Sequence, residues 1–263
     1  MQKILVLRWS VLLISLYYQA IHSIVLAAAN ERKSAPQLIP NHAVILLYHH
    51  VSDNTPAITS ISPQVFEQQL LYLENNGFSI WPLTKIIYYL QKRKILPDKT
   101  LAITFDDSYQ SVFSEAYPRL KIRHWPFTIF VSTDSVDQGF NYQTSWDELR
   151  SMAANGATIA NHSTSHKHLL QRNNNESKQQ WRQRIRQDIE TAQRRIQQGI
   201  GSNHKLFAYP YGEYNGELTK LVESLGYIGF GQQSGAVGEN NVRLNPATLN
   251  PDKRNAAMGK KGV

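Results

Sequence analysis

The chain has no cysteine among its 263 residues. No disulfide can brace it outside the cell, and no cysteine is available for a lipid anchor behind a signal segment. It also lacks an uninterrupted apolar run of the roughly 20 residues that a membrane span needs. The nearest approach is at the N-terminus, where the apolar residues 11–18 are followed by Gln19, His22 and Ser23 before residues 25–29 turn apolar again. No internal repeat is visible, which argues against solenoids and propellers. Acids are scarce: 20 Asp and Glu face 28 Lys and Arg, a formal net charge of +8.

What is present suits one large α/β domain, with 41 % hydrophobic and 10 % aromatic residues. Lys3 and Arg8, a short apolar centre and the small residues Ala27, Ala28 and Ala29 describe a secretory signal peptide over 1–29. Export to the periplasm, the cell envelope or the medium is therefore expected, with no stable membrane span once the signal is removed. Residues 30–41 are polar with Pro36 and Pro40 and read as a disordered lead. The positive charge invites a nucleic-acid reading. Its densest stretch, however, spaces Trp181, Ile185, Ile189, Ala192 and Ile196 at helical intervals, with Arg182, Arg184, Arg186, Arg194 and Arg195 between them. That is an amphipathic helix with a solvated basic face, and no nucleic-acid partner is expected.

From residue 42 to 249 strands and helices alternate. Residues 43–47 are a continuous apolar run, read as a strand buried on both faces that delivers Tyr48, His49 and His50 at its end. Ser62 and Pro63 start a helix with Phe66, Leu70 and Leu73 on one face, stopping at Asn75, Asn76 and Gly77. A strand at 78–81 and a helix on Leu83, Ile86, Ile87 and Leu90 follow. The later strands are expected at 126–131, 157–160, 206–209 and 227–230. The intervening helices are a piece interrupted by Pro118, then 145–155, the arginine-rich helix and one capped by Asn215. Such alternation implies parallel strands with right-handed crossovers, and about six or seven such units fit a (β/α) barrel, incomplete, better than an open sheet. Beyond Gly231 the pattern fades, and 250–263 reads as a loose tail.

The chemistry gathers at 100–109. The apolar Leu101, Ala102 and Ile103 run into Thr104-Phe105-Asp106-Asp107-Ser108-Tyr109, a buried strand that stops at a helix start capped by Ser108. Two carboxylates thus sit at the carboxyl end of a core strand, where parallel α/β folds present ligands and catalytic groups. The plainer alternative is that Asp107 or Ser108 only caps the helix and Asp106 is solvated. A second cluster, His162-Ser163-Thr164-Ser165-His166, follows another short apolar run. One carboxylate and two imidazoles are a common ligand set for zinc and related ions; without the aspartates the histidines would read as polar loop residues. A thermolysin-type protease needs glutamate directly after its first histidine, and Ser163 stands there. An iron oxygenase with two histidines and a carboxylate would leave one acid of the pair without a role.

With both motifs in this order on this background, the chain resembles the NodB-homology polysaccharide deacetylases, carbohydrate esterase family four, over about 44–230. Tyr48-His49 and Tyr209-Pro210-Tyr211-Gly212 belong to the same likeness, and the latter form resembles the poly-β-1,6-N-acetylglucosamine deacetylase branch. The resemblance implies an irregular (β/α) barrel, one divalent metal ion, zinc, and an acetylated polysaccharide as substrate. It assigns Asp106 as general base, Asp107, His162 and His166 as metal ligands, and Tyr211 as the residue whose backbone N–H holds the oxyanion and whose ring lines the groove. His49, at a strand end, is placed near the substrate. The physics is consistent with these roles. An acetamide is a poor electrophile, so the site needs a Lewis acid that also brings the pKa of water to about 7, and a carboxylate base within hydrogen-bond reach of that water. Adjacent strand residues point oppositely, so Asp106 and Asp107 can share a site only where strand gives way to loop.

Three departures from the family pattern stand out. Ala208 occupies the place where many members carry an arginine that tunes the base, and residues 226–238 lack the aspartate-tryptophan motif that supports it. No histidine follows His204, so the family's C-terminal general acid is missing and the end is read as shortened or diverged. This leaves two other readings: an O-acetyl esterase, or a metal- or glycan-binding remnant that no longer turns over.

Overall fold

The continuous apolar runs become the strands of one sheet. The computed structural model describes residues 41–232 and 236–238; the expected signal peptide, the lead as far as residue 40, residues 239–249 of the expected domain and the tail lie outside the described residues. The strands are β1 (His42–Tyr48), β2 (His50–Val51), β3 (Ser60–Ile61), β4 (Ser79–Ile80), β5 (Thr100–Asp106), β6 (Phe127–Val131), β7 (Ala157–Asn161), β8 (Leu206–Ala208), β9 (Ile228–Phe230) and β10 (Ala236–Gly238). Eight of them form a sheet in the order β10-β1-β5-β6-β7-β8-β9, with β4 also paired to β5. Leu101 pairs with both Val44 and Ile80, and Thr104 with both Leu47 and Thr128, so β4 and β6 share one edge of β5. All these pairings are parallel except β1 with β10. The sheet curls into the half-barrel expected from the alternation of elements, and no pairing of β9 with β10 closes it among the described residues.

Parallel strands must be covered on both faces. Alternation along β5 sends Leu101, Ile103 and Phe105 into a cluster with Phe66, Leu70, Leu120, Leu149 and Met152 of the surrounding helices. The opposite face carries Ala102 with Phe130, Ala160, Ala208 and Phe230, packed against Leu83, Ile86, Ile87 and Leu90. Asp106 lies on this second face, at the end of β5.

The helices begin and end where local chemistry allows. Ser62 caps Pro63–Asn75, Ser145 and Ser177 form capping boxes for Trp146–Ala154 and Lys178–Ile200, and Asn215 caps Gly216–Ser224. Each such cap is worth about 1 kcal/mol. Gly201 ends the long helix at φ 79°, the left-handed conformation glycine adopts without strain. Trp181, Ile185, Ile189 and Ala192 are buried as the spacing predicts, Trp181, Ile185 and Ile189 against Phe207, Tyr209 and Tyr227. On its polar side Arg184 pairs with Glu176 at 2.7 Å and Arg195 with Asp134 at 2.5 Å. Among the described residues no helix is long and apolar enough to cross a membrane.

Three local expectations differ from the structure. Ser108 caps no helix: it is buried at φ 52°, and the helical turns begin at Gln110, run through Val112–Ala116 and continue as Tyr117–Ile122, which contains Pro118. The pattern beyond Gly231 does not end, because β10 returns antiparallel to β1; three residues are too few to show a period. The short helix Thr133–Asp137 went unread because it is polar and only five residues long.

Candidate active site

Asp106 is the last residue of the β5 ladder, opposite Phe130, and 1 % exposed. The chain then leaves the strand through two left-handed residues, Asp107 at φ 70° and Ser108 at φ 52°. This conformation costs non-glycine residues about 1–2 kcal/mol, least for aspartate and asparagine. It cancels the alternation that would send neighbouring carboxylates to opposite faces. Both acids can therefore face one site.

The histidine loop leaves β7 in the same way, with Ser163 at φ 71° and His166 at φ 49°. It is tied down at nearly every residue. His162 N–H donates to the Val131 carbonyl (3.0 Å), Ser132 Oγ to the His162 carbonyl (3.0 Å) and Ser163 N–H to Asn161 Oδ1 (2.9 Å). Asp188, on the arginine-rich helix, accepts from Thr164 N–H at 2.8 Å and from Ser165 Oγ at 3.2 Å. Burial pushes the Asp188 carboxyl up, and these two hydrogen bonds only partly offset it. One function of the basic helix is thus to hold the loop through its single inward acid.

Asp107 Oδ1 lies 3.3 Å from His162 Nε2 and 3.0 Å from His166 Nε2, and the three groups form a possible metal site. The His162 ring supplies the test of fit. Its Nδ1 is 2.9 Å from the Ala208 carbonyl oxygen, which can only accept, so Nδ1 carries the proton. In the neutral ring Nε2 then presents a bare lone pair, and this fully buried atom makes no hydrogen bond. An unsatisfied lone pair facing a carboxylate is costly unless a proton or a metal cation lies between them, and the site has a second imidazole nitrogen on the same carboxylate oxygen. Tetrahedral zinc with ligands near 2.0 Å would separate them by about 3.3 Å, close to what is observed. The electrostatics agree. Burial raises the Asp107 carboxyl, but the His162 and His166 rings outweigh it and hold it far below the usual range. Burial disfavours charge on His162, yet Asp106 and Asp107 push its pKa up on balance.

Around this set lie the remaining candidates. Burial drives the Asp106 carboxyl up, opposed by His162 and His49 and reinforced by Asp107. Its Oδ1 has no partner, while Oδ2 accepts from Gln232 Nε2 at 3.3 Å; the same Nε2 is 3.3 Å from His49 Nε2. His49, directly after β1, is thereby placed beside Asp106. Tyr211 stands at φ 58° with its hydroxyl 3.2 Å from the His166 carbonyl and its ring 4.5 Å from the His166 ring. His168 stacks on the same ring at 4.0 Å and holds Glu213 at 3.0 Å.

Sequence reasoning missed Gln232 and Tyr109. Gln232 lies where the pattern seemed to fade. Tyr109 stacks on His50 at 3.6 Å, and Asp107 adds to burial in raising its pKa; its place two residues after the aspartate pair was the available signal.

A family model described as polysaccharide deacetylase matches residues 93–229, more than half of the chain. The poly-beta-1,6-N-acetyl-D-glucosamine N-deacetylase of Staphylococcus aureus (strain MRSA252) is 28 % identical over 186 residues, 69 % of this chain and 64 % of that protein. The enzyme of the same name from Escherichia coli (strain K12) is 24 % identical over 247 residues, 80 % of this chain but 36 % of its own length. This chain thus spans about a third to two thirds of those relatives. The solved structure of IcaB from Ammonifex degensii superposes with a TM-score of 0.65 at 26 % identity, covering 74 % of this chain and 85 % of that one.

Proposed function

The chain belongs to the polysaccharide deacetylase family, and on that premise we propose that it is a metal-dependent hydrolase removing acetyl groups from an N-acetylglucosamine-containing polysaccharide. The observation that carries this reading is the convergence of Asp107 Oδ1, His162 Nε2 and His166 Nε2 beside the buried, half-unpartnered Asp106. The names of the similar S. aureus and E. coli proteins favour a β-1,6-linked substrate.

Asp107, His162 and His166 would hold the ion, with zinc suited to one oxygen and two imidazole nitrogens. A divalent ion held there supplies Lewis acidity, polarising the acetyl oxygen and acidifying water. The chain's own groups do the rest. Asp106 Oδ1 takes the proton as water oxygen bonds to the acetyl carbon. Its raised affinity for protons suits that task, and Gln232 keeps the other oxygen in place. The Tyr211 N–H, in its left-handed backbone, stabilises the developing oxyanion. The C–N bond then breaks, acetate leaves, and the freed nitrogen takes up a proton from solvent, to which Asp106 returns the one it accepted. His49 and the Tyr211 ring bound the substrate.

O-acetyl ester hydrolysis is a second reading, since the Asp107, His162 and His166 set with Asp106 beside it serves an ester carbonyl as well as an amide. The proposed organisation is a signal peptide over 1–29, a lead over 30–41, the deacetylase domain over 42–249 and a tail over 250–263, with export from the cytoplasm. Acetate release from a panel of acetylated glycans, with and without chelator, tests the function. Release that is unaffected by chelator would refute the metal-dependent reading.

A further inference from the structure

Two aromatic side chains that the proposed chemistry does not use stand at the edge of this site. Phe140 and Tyr142 are 41 % and 53 % exposed and stack on each other, ring centroids 5.1 Å apart and planes 9° from parallel. Each ring keeps apolar surface in water that a ligand could cover.

The turn carrying them is fastened to the strand end that bears Asp107. Gln143 N–H donates to the Phe140 carbonyl at 2.9 Å and closes the turn, and Gln110 N–H donates to the Tyr142 carbonyl at 2.8 Å. Tyr109 and Gln143 form an antiparallel bridge. Thr144 N–H and Oγ1 both donate to the Ser108 carbonyl, at 3.0 and 2.9 Å. The buried Gln143 amide, turned so that its nitrogen meets acceptors, donates to the carbonyls of Asp107 at 2.7 Å and Ser108 at 3.0 Å. The rings are therefore held in fixed relation to the Asp107 turn, and little ordering is needed when a ligand arrives. At the site itself the 47 % exposed Tyr211 ring lies 4.5 Å from the His166 ring, so an accessible aromatic surface is already present beside the proposed ligands.

The geometry points to the Phe140–Tyr142 pair as a platform for a pyranose ring of the glycan chain, seated beside the acetylated sugar undergoing hydrolysis. This rests on the glycan reading above. A β-linked glucosamine unit presents a flat face of C–H bonds that matches an aromatic surface. Phenylalanine and tyrosine supply such a surface at low entropic cost. Binding energy gained there, remote from the reacting bond, is available to position the acetyl group.

The test uses full-length Phe140→Ala, Tyr142→Ala and Tyr142→Trp variants. The probes are a β-1,6-linked N-acetylglucosamine tetramer and an activated acetate ester. The ratio of kcat/KM on the tetramer to that on the ester should fall about tenfold in each alanine variant, mainly through KM, and recover in Tyr142→Trp. Equal losses on both probes, or no change in the ratio, would overturn the platform. Calorimetric titration with the tetramer separates the two readings. If wild type binds it, and the alanine variants bind about tenfold more weakly, yet no acetate is released, then the deacetylase reading fails and the platform stands. If wild type does not bind the tetramer, the platform falls.

Discussion

Gln232 Nε2 lies 3.3 Å from Asp106 Oδ2, and so a neutral amide from beyond β9 holds the carboxylate assigned as the base. The family likeness leads one to expect an arginine at 208 in this role. Alanine there removes a cation together with the need for its own acidic partner, and no unpaired charge is left buried. The backbone at the same position has a separate use, since the Ala208 carbonyl fixes the proton on His162 Nδ1.

Gln232→Leu should lower kcat about tenfold while leaving zinc content unchanged, because a hydrogen bond to a charged group contributes about 1.5–3 kcal/mol. Steady-state kinetics beside elemental analysis checks this. An unchanged kcat would mean that Asp106 needs no such support.

Asp106→Asn should keep the ion and lose about 10²- to 10⁴-fold in acetate release, the usual effect of removing a general base. The substitution preserves volume and leaves all three proposed ligands in place. Activity within about twofold of wild type would make Asp106 a structural residue.

His162→Ala should abolish stoichiometric metal binding, and the His162→Ala, His166→Ala double variant more completely, since two of three ligands are gone. Near-stoichiometric zinc in the double variant, measured by mass spectrometry of the eluted metal, would rule the site out.

Asp188 predicts a pH dependence of stability. Its carboxyl is raised in the folded chain, so the folded state binds its proton more tightly than the unfolded state does. Stability is therefore lost as pH climbs from the unfolded pKa of about 4 through the raised value. Asp188→Asn removes that loss, so denaturant titrations should show the variant gaining on wild type as pH rises from about 4 to 7. Asp188→Ala should instead destabilise by about 1–3 kcal/mol by leaving the Thr164 N–H unsatisfied. Parallel pH curves for wild type and Asp188→Asn would refute the assignment.

The long apolar or amphipathic segments of this fold are legible because their burial is written as a period. Trp181, Ile185 and Ile189, or Phe66 and Leu70, disclose their faces without a structure. So do the aspartate pair and the two histidines, whose residue types and strand-end positions carry the chemistry. What escapes is set by long-range approach. Gln232 reaches Asp106 across 126 residues in a segment with no periodicity. The Ala208 contact is made by a backbone oxygen that any residue would supply. Ser108 looks like a helix cap because the local chemistry is that of a cap, whereas its neighbours hold it in a left-handed turn.

Departure of an amine needs a proton where departure of an alkoxide or phenolate does not. Activated acetate esters should therefore be cleaved more readily than N-acetylglucosamine oligomers, by up to the roughly 10²- to 10⁴-fold that a general acid contributes. Equal turnover of both would show that another group supplies the proton.

The central claim is that the Asp107, His162 and His166 site runs an acetyl hydrolysis that depends on its ion. Acetate release from a β-1,6-linked N-acetylglucosamine tetramer, measured on protein stripped by chelator and then titrated with zinc, tests it most directly. The account predicts that release vanishes on stripping and returns in full at one equivalent of zinc. Release by the stripped protein, or none from a folded, zinc-loaded sample, would contradict it.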